Sequence, residues 1–251
     1  MASEQVLKIT GALSDPTRYN IYRYVLANKE GVSVAQVAEH FGIHPNVARL
    51  HLTKLEEANL VTSRAEKSGK GGRPGKVYTP TLKREAVSFP PRDYAFVSEV
   101  AMRTLDRLGE EAKKVFIEEG YRLGVEVGHR FLKEENFRAE DQPLPRLVEA
   151  AIRIAEQQDL YPEVLEVQDP MFRFRVRNCP FMEQIYDHPA ICEMHQAYLR
   201  GILETIGGHV DLIEEKCMVH GDLDCEYIAV KLPDAVKLPD EASRRVYEET
   251  P

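Results

Sequence analysis

The sequence predicts an α+β protein made of two unlike parts. The first 84 residues carry 13 Lys/Arg against seven Asp/Glu, and the remainder carries 20 against 34. The net charge of the whole chain is −8. Helical periodicity and a basic hairpin fill the first part, whereas helices mixed with alternating strands fill the second. The stretch FPPRD is typical of a linker because of its prolines. We therefore predict an N-terminal domain over 1–85, a linker over 86–93, an α+β domain with an antiparallel sheet over 94–233, and a tail over 234–251.

The N-terminal domain carries start signals for several helices. Residues 3–12 predict a short amphipathic helix, and the Ser-Asp-Pro at 14–16 predicts the start of the next one. Ser33, with Gln36 three residues later, has the pattern of a capping box for another helix. Pro45 suits the first position of the helix after that. Helix, turn and helix followed by a hairpin predict a winged helix-turn-helix.

The stretch from His44 to Val61 predicts an amphipathic helix with a hydrogen-bonding outer face. Its packed face consists of Ala48, Leu52, Leu55 and Asn59, and its outer face of Asn46, Arg49, Leu50, Thr53 and Glu57. An amide, a guanidinium, a hydroxyl and an aliphatic group suit base edges and thymine methyls, so we predict a DNA-recognition helix. The predicted contacts are a guanine for Arg49, a thymine methyl for Leu50, phosphates for His51 and Lys54, and either base or phosphate for Asn46 and Thr53.

A Gly-rich basic hairpin follows this helix. Between Val61 and Pro80 the sequence has five Lys/Arg against a single acid, Glu66. A cationic hairpin beside a recognition helix is typical of a wing that lies along phosphates or in the minor groove. We therefore predict that Arg73 and Lys76 contact DNA, and that the partner is a double-stranded DNA operator.

Three stretches of the N-terminal domain carry a family resemblance: LSDPTRYNIYRYV, SVAQVAEHFGI and GRPGKVY. Together with the recognition helix they resemble the winged helix of the arsenic-repressor (ArsR) type of regulator, in the branch with an attached sensor domain. The resemblance covers the N-terminal domain. It implies a transcriptional regulator, and we predict a homodimer that binds pseudo-palindromic half-sites.

The C-terminal domain mixes long helices with strands. We predict a helical region from Tyr94 to about Phe137, with a break near Gly120 or Gly124, and another helix from Leu144. An apolar stripe on the first region indicates either dimer contacts or an ordinary core face. It consists of Val97, Val100, Ala101, Leu105 and Leu108. The stretches VLEVQDP and MFRFRVRNCPF predict strands, residues 190–206 a helix, and residues 210–232 a β-hairpin.

All four cysteines lie in the last third of the chain. No apolar run approaches the roughly 20 residues of a membrane span, and the N-terminus lacks a signal-peptide profile, so we expect a cytoplasmic protein with reduced thiols. A hairpin that turns at Gly221-Asp222 places Cys217 and Cys225 close enough to bind one metal ion. The candidate ligands are Cys179, Cys192, Cys217 and Cys225, with Glu214 as the alternative to Cys179. Four thiolates suit zinc or an iron–sulfur cluster, and three thiolates with a carboxylate suit zinc.

Two further resemblances bear on these ligands. The stretch EEKCMVHGDLDCEYIAV is similar to the C-terminal end of the 4-vinyl-reductase-type domain, whose phenol-sensing members hold structural zinc. That resemblance implies Cys192, Glu214, Cys217 and Cys225 as ligands. The stretch NCPF followed by Cys192 resembles the Suf-type iron–sulfur repressors, which share the winged-helix architecture. The chain departs from that family at Ile206, where a third cysteine is expected, so a cluster needs Cys217 or Cys225 instead.

These residues predict a DNA-binding transcriptional regulator whose cysteine-containing domain senses a metal, an iron–sulfur or a redox signal. One alternative is a regulator that binds a small apolar effector and uses zinc only structurally. Its pocket would draw on aromatic residues that otherwise form the core: Phe172, Phe174, Tyr186, Tyr198 and Tyr227. A second alternative is a metal-dependent or redox enzyme with a DNA-binding appendage. We expect no enzyme, because the chain lacks G-x-S-x-G, a phosphate loop followed by Lys-Ser/Thr, and H-E-x-x-H.

Overall fold

The computed structural model describes residues 2–66, 75–81, 92–137 and 143–232. The chain forms two compact units, Met1–Ala95 and Phe96–Pro251. Arg73, most of the predicted linker and the predicted tail lie outside the described residues.

The first unit is a small helical domain closed by a three-stranded sheet. Its elements are α1 (Ala2–Leu13), α2 (Pro16–Ala27), β1 (Val32–Ser33), α3 (Val34–Phe41), α4 (Pro45–Glu57), β2 (Val61–Glu66) and β3 (Gly75–Pro80). The strands are antiparallel in the order β1-β3-β2. This arrangement confirms the predicted winged helix-turn-helix.

Local signals in the sequence explain where these helices begin and end. The Asp15 side chain accepts a hydrogen bond from the Arg18 backbone at the start of α2, and this bond lowers the pKa of Asp15. Ser33 and Gln36 form the predicted capping box of α3. Gly42 ends α3 with a left-handed φ of 62°, which glycine adopts without strain.

The second unit places helices against a four-stranded antiparallel sheet. Its elements are α5 (Tyr94–Leu108), α6 (Glu110–Glu134), α7 (Leu144–Gln157), β4 (Pro162–Gln168), β5 (Met171–Val176), α8 (Ala190–Gly207), β6 (Val210–Lys216) and β7 (Cys225–Lys231), with a short 3₁₀ turn at Met218–His220. The strand order is β4-β5-β7-β6. This fold confirms the predicted α+β class.

The core of the second unit lies between one face of the sheet and helices α7 and α8. Phe172, Phe174 and Val176 alternate along β5 and are buried, and the residues between them are half-buried. Leu147 on α7 and Ile206 on α8 are completely buried in the same cluster. The period-two pattern that predicted β5 is therefore the pattern of its burial.

The predicted break near Gly120 or Gly124 is wrong, because the helical region is interrupted at Gly109, which has a φ of 81°. Gly120 and Gly124 lie inside α6 and are buried against α8. A Cβ at Gly124 would lie 2.1 Å from the backbone oxygen of Tyr198. These two glycines therefore allow a close helix crossing rather than a bend.

The apolar stripe predicted on α5 is largely exposed. Val97, Val100 and Leu108 are 63%, 49% and 68% exposed, and the residue that α5 buries is Met102. Leu105 is half-buried and packs against the core, so one residue of the stripe contributes to the core of the second unit and most of the stripe does not. Within the described part of the chain, no helix combines the length and the apolar character that crossing a bilayer requires.

Candidate functional site

Helix α4 presents the predicted recognition face outward. Ala48, Leu52 and Leu55 are fully buried in the core of the first unit. Asn46, Arg49, Leu50 and Lys54 are exposed, and Thr53 is half-buried. Pro45 occupies the first helical turn. Asn59, just beyond the helix, has a left-handed φ of 57°, as its position after the helix predicts.

Arg49 is oriented by a neighbour on its own helix. Its Nη1 donates a hydrogen bond of 3.0 Å to Oδ1 of Asn46, one turn earlier. The guanidinium and the amide therefore form a joint polar surface on the exposed face. Such a pair can present several hydrogen-bond donors to base edges in a major groove.

The predicted phosphate contacts on α4 differ in their surroundings. Lys54 forms an ion pair of 2.7 Å with Glu57, and its side chain is nevertheless exposed to solvent. His51 is half-buried, its Nδ1 is inaccessible, and it is close enough to Asp15 to help lower the pKa of that carboxyl. Lys54 therefore remains the better placed of the two for a phosphate.

The wing is described only near its base. Strands β2 and β3 pair in antiparallel register from Val61 with Pro80 to Glu66 with Gly75. Lys76 is exposed, and its Nζ lies 3.3 Å from Oε2 of Glu56. The predicted contact by Arg73 falls outside the described residues.

The four cysteines meet at one cavity of about 10 Å³ in the second unit. Cys217 directly follows β6, Cys225 begins β7, Cys192 lies in the first turn of α8, and Cys179 lies just after β5. The Sγ atoms of Cys217 and Cys225 are 3.9 Å apart. The cavity is also lined by Phe181, Ile185, Ile191, His195 and Tyr227.

Backbone and side-chain contacts fix the hairpin that carries two of these thiols. The backbone N–H of Cys217 donates a hydrogen bond of 3.1 Å to Oδ2 of Asp222. The backbone N–H of Met218 points to Sγ of Cys225 at 3.5 Å. Gly221 adopts a φ of 96° in the turn between them. The turn geometry thus brings the two sulfurs together, as the hairpin prediction required.

Burial raises the pKa of Cys192 and of Cys225, so these two thiols stay protonated at pH 7 when no cation is bound. Burial is the main cause that raises the pKa of Cys225 to about 12; the Met218 N–H opposes this rise and the neighbouring Cys217 adds to it. The pKa of Cys192 is also raised, mainly by burial and then by Cys217. A thiolate at this site therefore needs a positive charge beside it, which a bound metal supplies.

The donor chemistry of the site fits zinc or an iron–sulfur cluster. Two thiolates on one tetrahedral zinc lie about 3.8 Å apart, and the 3.9 Å between Cys217 and Cys225 is close to that separation. Within the described ranges, however, no three His, Cys, Asp or Glu side chains stand close enough together to hold a metal ion. Binding therefore requires Cys192 and a fourth ligand to move toward the pair.

The two alternatives for the fourth ligand have different positions. Cys179 lines the cavity, and Glu214 is not among the residues that line it. Glu214 is half-buried on β6, in register with Tyr227, whose ring does line the cavity. The structure therefore brings Cys179 to the other thiols, and leaves Glu214 next to the cavity wall.

His195 is a cavity residue that sequence reasoning set aside. It lies three residues after Cys192 on α8, so helical spacing alone places both on one face. The imidazole stacks on Tyr198 and meets Phe181 edge to face. Burial lowers its pKa from 6.5 to about 4, so it is neutral at pH 7 and has a lone pair available.

Acid is expected to destabilise the second unit through His195. Because the folded-state pKa lies below the ordinary value of 6.5, the unfolded chain binds more protons between about pH 4 and 6.5. The contribution of His195 to the free energy of unfolding is therefore complete above pH 6.5. It decreases by about 3 kcal/mol as the pH drops to 4. The free energy of unfolding of chelator-treated protein, measured between pH 4 and 7, should decrease less with acid in His195→Phe than in the parent. The exposed control His129→Phe should decrease as the parent does. An equal decrease in parent and His195→Phe contradicts the assignment.

A second cavity in this unit is apolar. Its volume is about 30 Å³, and its walls come from α7, β4, β5 and α8. Phe172 and Phe174 line it, and Tyr227 lines the cysteine cavity. Tyr198 is not among the residues that line either cavity, and its hydroxyl accepts a hydrogen bond of 2.7 Å from Gln158. Tyr186 is 62% exposed, so the five aromatics do not form one pocket.

Comparisons with known proteins place a separate family in each unit. The family model described as "Helix-turn-helix domain" matches residues 13–64, and the one described as "Methanogen output domain 1" matches residues 96–229. No curated protein gives a significant match. The resemblances to 4-vinyl-reductase-type domains and to Suf-type repressors therefore stay interpretations of the sequence.

Two solved structures are similar to this chain at low identity. A trafficking protein particle complex subunit 3 from Naegleria fowleri, covalently bound to palmitic acid, has 14% identity, a TM-score of 0.41, and coverage of 55% of this chain and 97% of its own. The phenol-responsive sensory domain of the transcription activator PoxR with phenol has 16% identity, a TM-score of 0.44, and coverage of 73% and 89%. At such similarity neither bears on what this chain does.

The family matches agree with the two units of the structure. The helix-turn-helix match covers α2 to α4, which is the organisation of a DNA-binding domain. The second match runs from α5 to β7, across the cysteine cavity, and spans more than half of the chain. The chain therefore joins a helix-turn-helix DNA-binding domain to a C-terminal output domain, and it belongs to the Methanogen output domain 1 family.

Proposed function

We propose that the chain is a homodimeric transcriptional regulator whose C-terminal domain responds to a signal at its four cysteines. The observation that supports this most is that thiols from separate stretches of chain line one buried cavity. Four unrelated core cysteines have no reason to meet, because a free cysteine packs as an ordinary small apolar residue. The same chain carries a helix-turn-helix domain, through which a change at the cysteines can alter DNA binding.

The DNA-binding step follows from the exposed face of α4. Arg49 and Asn46 would contact base edges, and Lys54, Lys76 and Arg73 would contact phosphates. Two chains would bind half-sites about one helical turn apart, because one recognition helix covers one half-site. The exposed apolar side chains of α5, among them Val97, Val100 and Leu108, offer a surface for pairing two copies.

The signal at the cysteines is a change of metal, loss of an iron–sulfur cluster, or oxidation of thiols. Cys192, Cys217 and Cys225 would be ligands in each metal case, with Cys179 or Glu214 as the fourth. A bound metal would keep the thiolates charged, which burial otherwise opposes. A few kcal/mol of differential affinity between two states is enough for a switch.

Protein purified without oxygen is expected to contain either stoichiometric zinc or iron with sulfide. Brown protein with visible absorption indicates a cluster, and colourless protein with zinc indicates a thiolate zinc site. Cys217→Ser and Cys225→Ser should each lower the metal content at least about tenfold, because each removes one of the two thiols whose sulfurs lie 3.9 Å apart. Cys179→Ser compared with Glu214→Gln then identifies the fourth ligand. The proposal is contradicted if the purified protein contains no metal and its DNA affinity does not change on addition of zinc, chelator or diamide.

The apolar cavity favours a second function, in which the regulator binds a small apolar effector and zinc is structural. Its walls include Phe172, Phe174, Leu199 and Ile202. A cavity of about 150 Å³ is known to hold benzene, so the present 30 Å³ requires that α7 or α8 move outward. DNA affinity that responds to apolar compounds, but not to removal of zinc, supports this function over the first.

A further inference from the structure

We propose that the stretch from Cys179 to Cys192, here called the coupling segment, transmits the state of the cysteine site to α5. This rests on the function proposed above, and it names the path by which a change at the thiols reaches the helix that follows the linker. The segment connects β5 to α8, and both of its end residues line the cysteine cavity. Its middle, at Gln184 and His188, is bonded to α5.

The coupling segment is a compact series of turns. The backbone N–H of Gln184 donates to the Phe181 carbonyl at 2.9 Å, and that of His188 donates to the Gln184 carbonyl at 2.9 Å. The N–H of Cys192 donates to the Pro189 carbonyl, also at 2.9 Å. These internal bonds give the segment a defined local structure, and bending it would break them.

One side of the coupling segment faces the thiols. Phe181, Ile185 and Ile191 line the cysteine cavity together with the two end residues, and Ile185 is 1% exposed. The cavity measures about 10 Å³, so the thiols have little free space around them. A closer approach of Cys179 or Cys192 to the other thiols must therefore displace the segment.

The other side of the coupling segment holds α5. The imidazole of His188 is 5% exposed, and its Nδ1 lies 2.7 Å from Oδ2 of Asp106. Its Nε2 is 3.7 Å from Oε2 of Glu99 and has no hydrogen-bond partner among the described residues. The Ser98 hydroxyl donates a bond of 3.0 Å to Oε1 of Gln184. Glu99 and Asp106 lie two helical turns apart on α5, so His188 contacts one face of that helix across those two turns.

Helix α5 has few other attachments to its own unit. Within one chain it buries Met102 and packs the half-buried Leu105 against the core, whereas Val97, Val100 and Leu108 are exposed. A helix that buries so little belongs to the weakly held part of a fold. The polar contacts of His188 and Gln184 therefore add substantially to the few apolar contacts that hold α5. Because α5 directly follows the linker in the sequence, a release of α5 would be passed along the chain to the helix-turn-helix domain.

Hydrogen–deuterium exchange of the full-length protein tests this coupling. The states to compare are zinc-loaded with chelator-treated protein, and reduced with diamide-oxidised protein. In the parent, the exchange rates of the α5 amides should differ at least about threefold between the two states of at least one of these comparisons. In His188→Phe, which keeps a ring but cannot bond the carboxylates, α5 should exchange fast in every state. His129→Phe, exposed on α6, should keep the ratio of the parent.

The outcomes separate the coupling from the proposed function. Equal α5 exchange in all states of the parent, or an unchanged ratio in His188→Phe, overturns the coupling. Asp106→Ala supplies the answer if His188→Phe fails to fold, because it removes the same bond from the half-exposed side. DNA affinity of the parent, measured in the same states, tests the proposed function by itself. State-dependent exchange without any change in DNA affinity leaves the coupling standing and contradicts the regulator.

Discussion

Replacing Gly124 with alanine is expected to destabilise the C-terminal unit by at least about 3 kcal/mol, although alanine is the better helix former. The added Cβ would lie 2.1 Å from the carbonyl oxygen of Tyr198 on α8, and a backbone oxygen within a helix cannot turn away. The contact is reciprocal, because a Cβ at Gly201 would lie 2.3 Å from the carbonyl oxygen of Tyr121 on α6. One methyl group at either position must push the two helices apart.

Gly11→Ala provides the matched control for this change. Gly11 lies inside α1, and nothing stands within 4 Å of the Cβ it lacks. Alanine there should stabilise its unit by about 0.5–1 kcal/mol, through helix propensity alone. Urea denaturation followed by far-UV circular dichroism measures both variants. A Gly124→Ala protein as stable as its parent would show that α6 and α8 do not pack as closely as described.

The glycines of α6 also show why part of this fold escapes prediction from sequence. A glycine within a helical pattern indicates a break, a cap or a close approach equally well. Gly109 is followed by two glutamates that suit the first turn of a helix, and the chain breaks there. Gly120 and Gly124 instead face α8, which lies more than seventy residues further along the chain. No local pattern contains that neighbour.

Local chemistry, in contrast, predicts the first unit almost completely. The box of Ser33 and Gln36, the proline at position 45 and the left-handed Asn59 each act within four residues of themselves. Cys217 and Cys225 are eight residues apart, and a single hairpin turn brings them together. Helix boundaries and hairpin partners are therefore predictable wherever the determining contacts are short-range.

The full cysteine site lies between these two cases. Spacing identifies the hairpin pair, but only the packing of α8 and the coupling segment brings Cys179 and Cys192 to it. His195 joins the cavity for the same reason, and its position three residues after Cys192 was the signal that sequence reasoning passed over. A histidine that shares a helix face with a predicted ligand is a better candidate for the same site than an isolated histidine is.

Arg49→Ala is expected to weaken binding to a selected operator by about 10- to 100-fold, the loss of one bidentate base contact worth 1–3 kcal/mol. The operator is obtained by selecting duplexes from a random library with the parent protein. Arg49 is exposed on α4, and its side chain bonds only within the helix, to Asn46, among the contacts described. Removing it should therefore leave the fold of the first unit intact.

Three comparisons make this measurement specific. Arg122→Ala removes an exposed arginine from α6 and should leave DNA affinity unchanged. Lys76→Ala should weaken binding to all duplexes alike and reduce the slope of log affinity against log salt by about one, because it removes a phosphate contact. Arg49→Ala should instead affect the selected duplex far more than a scrambled one. If Arg49→Ala binds the selected duplex as tightly as the parent, α4 does not read bases through this residue, and the exposed face of α4 has some other purpose.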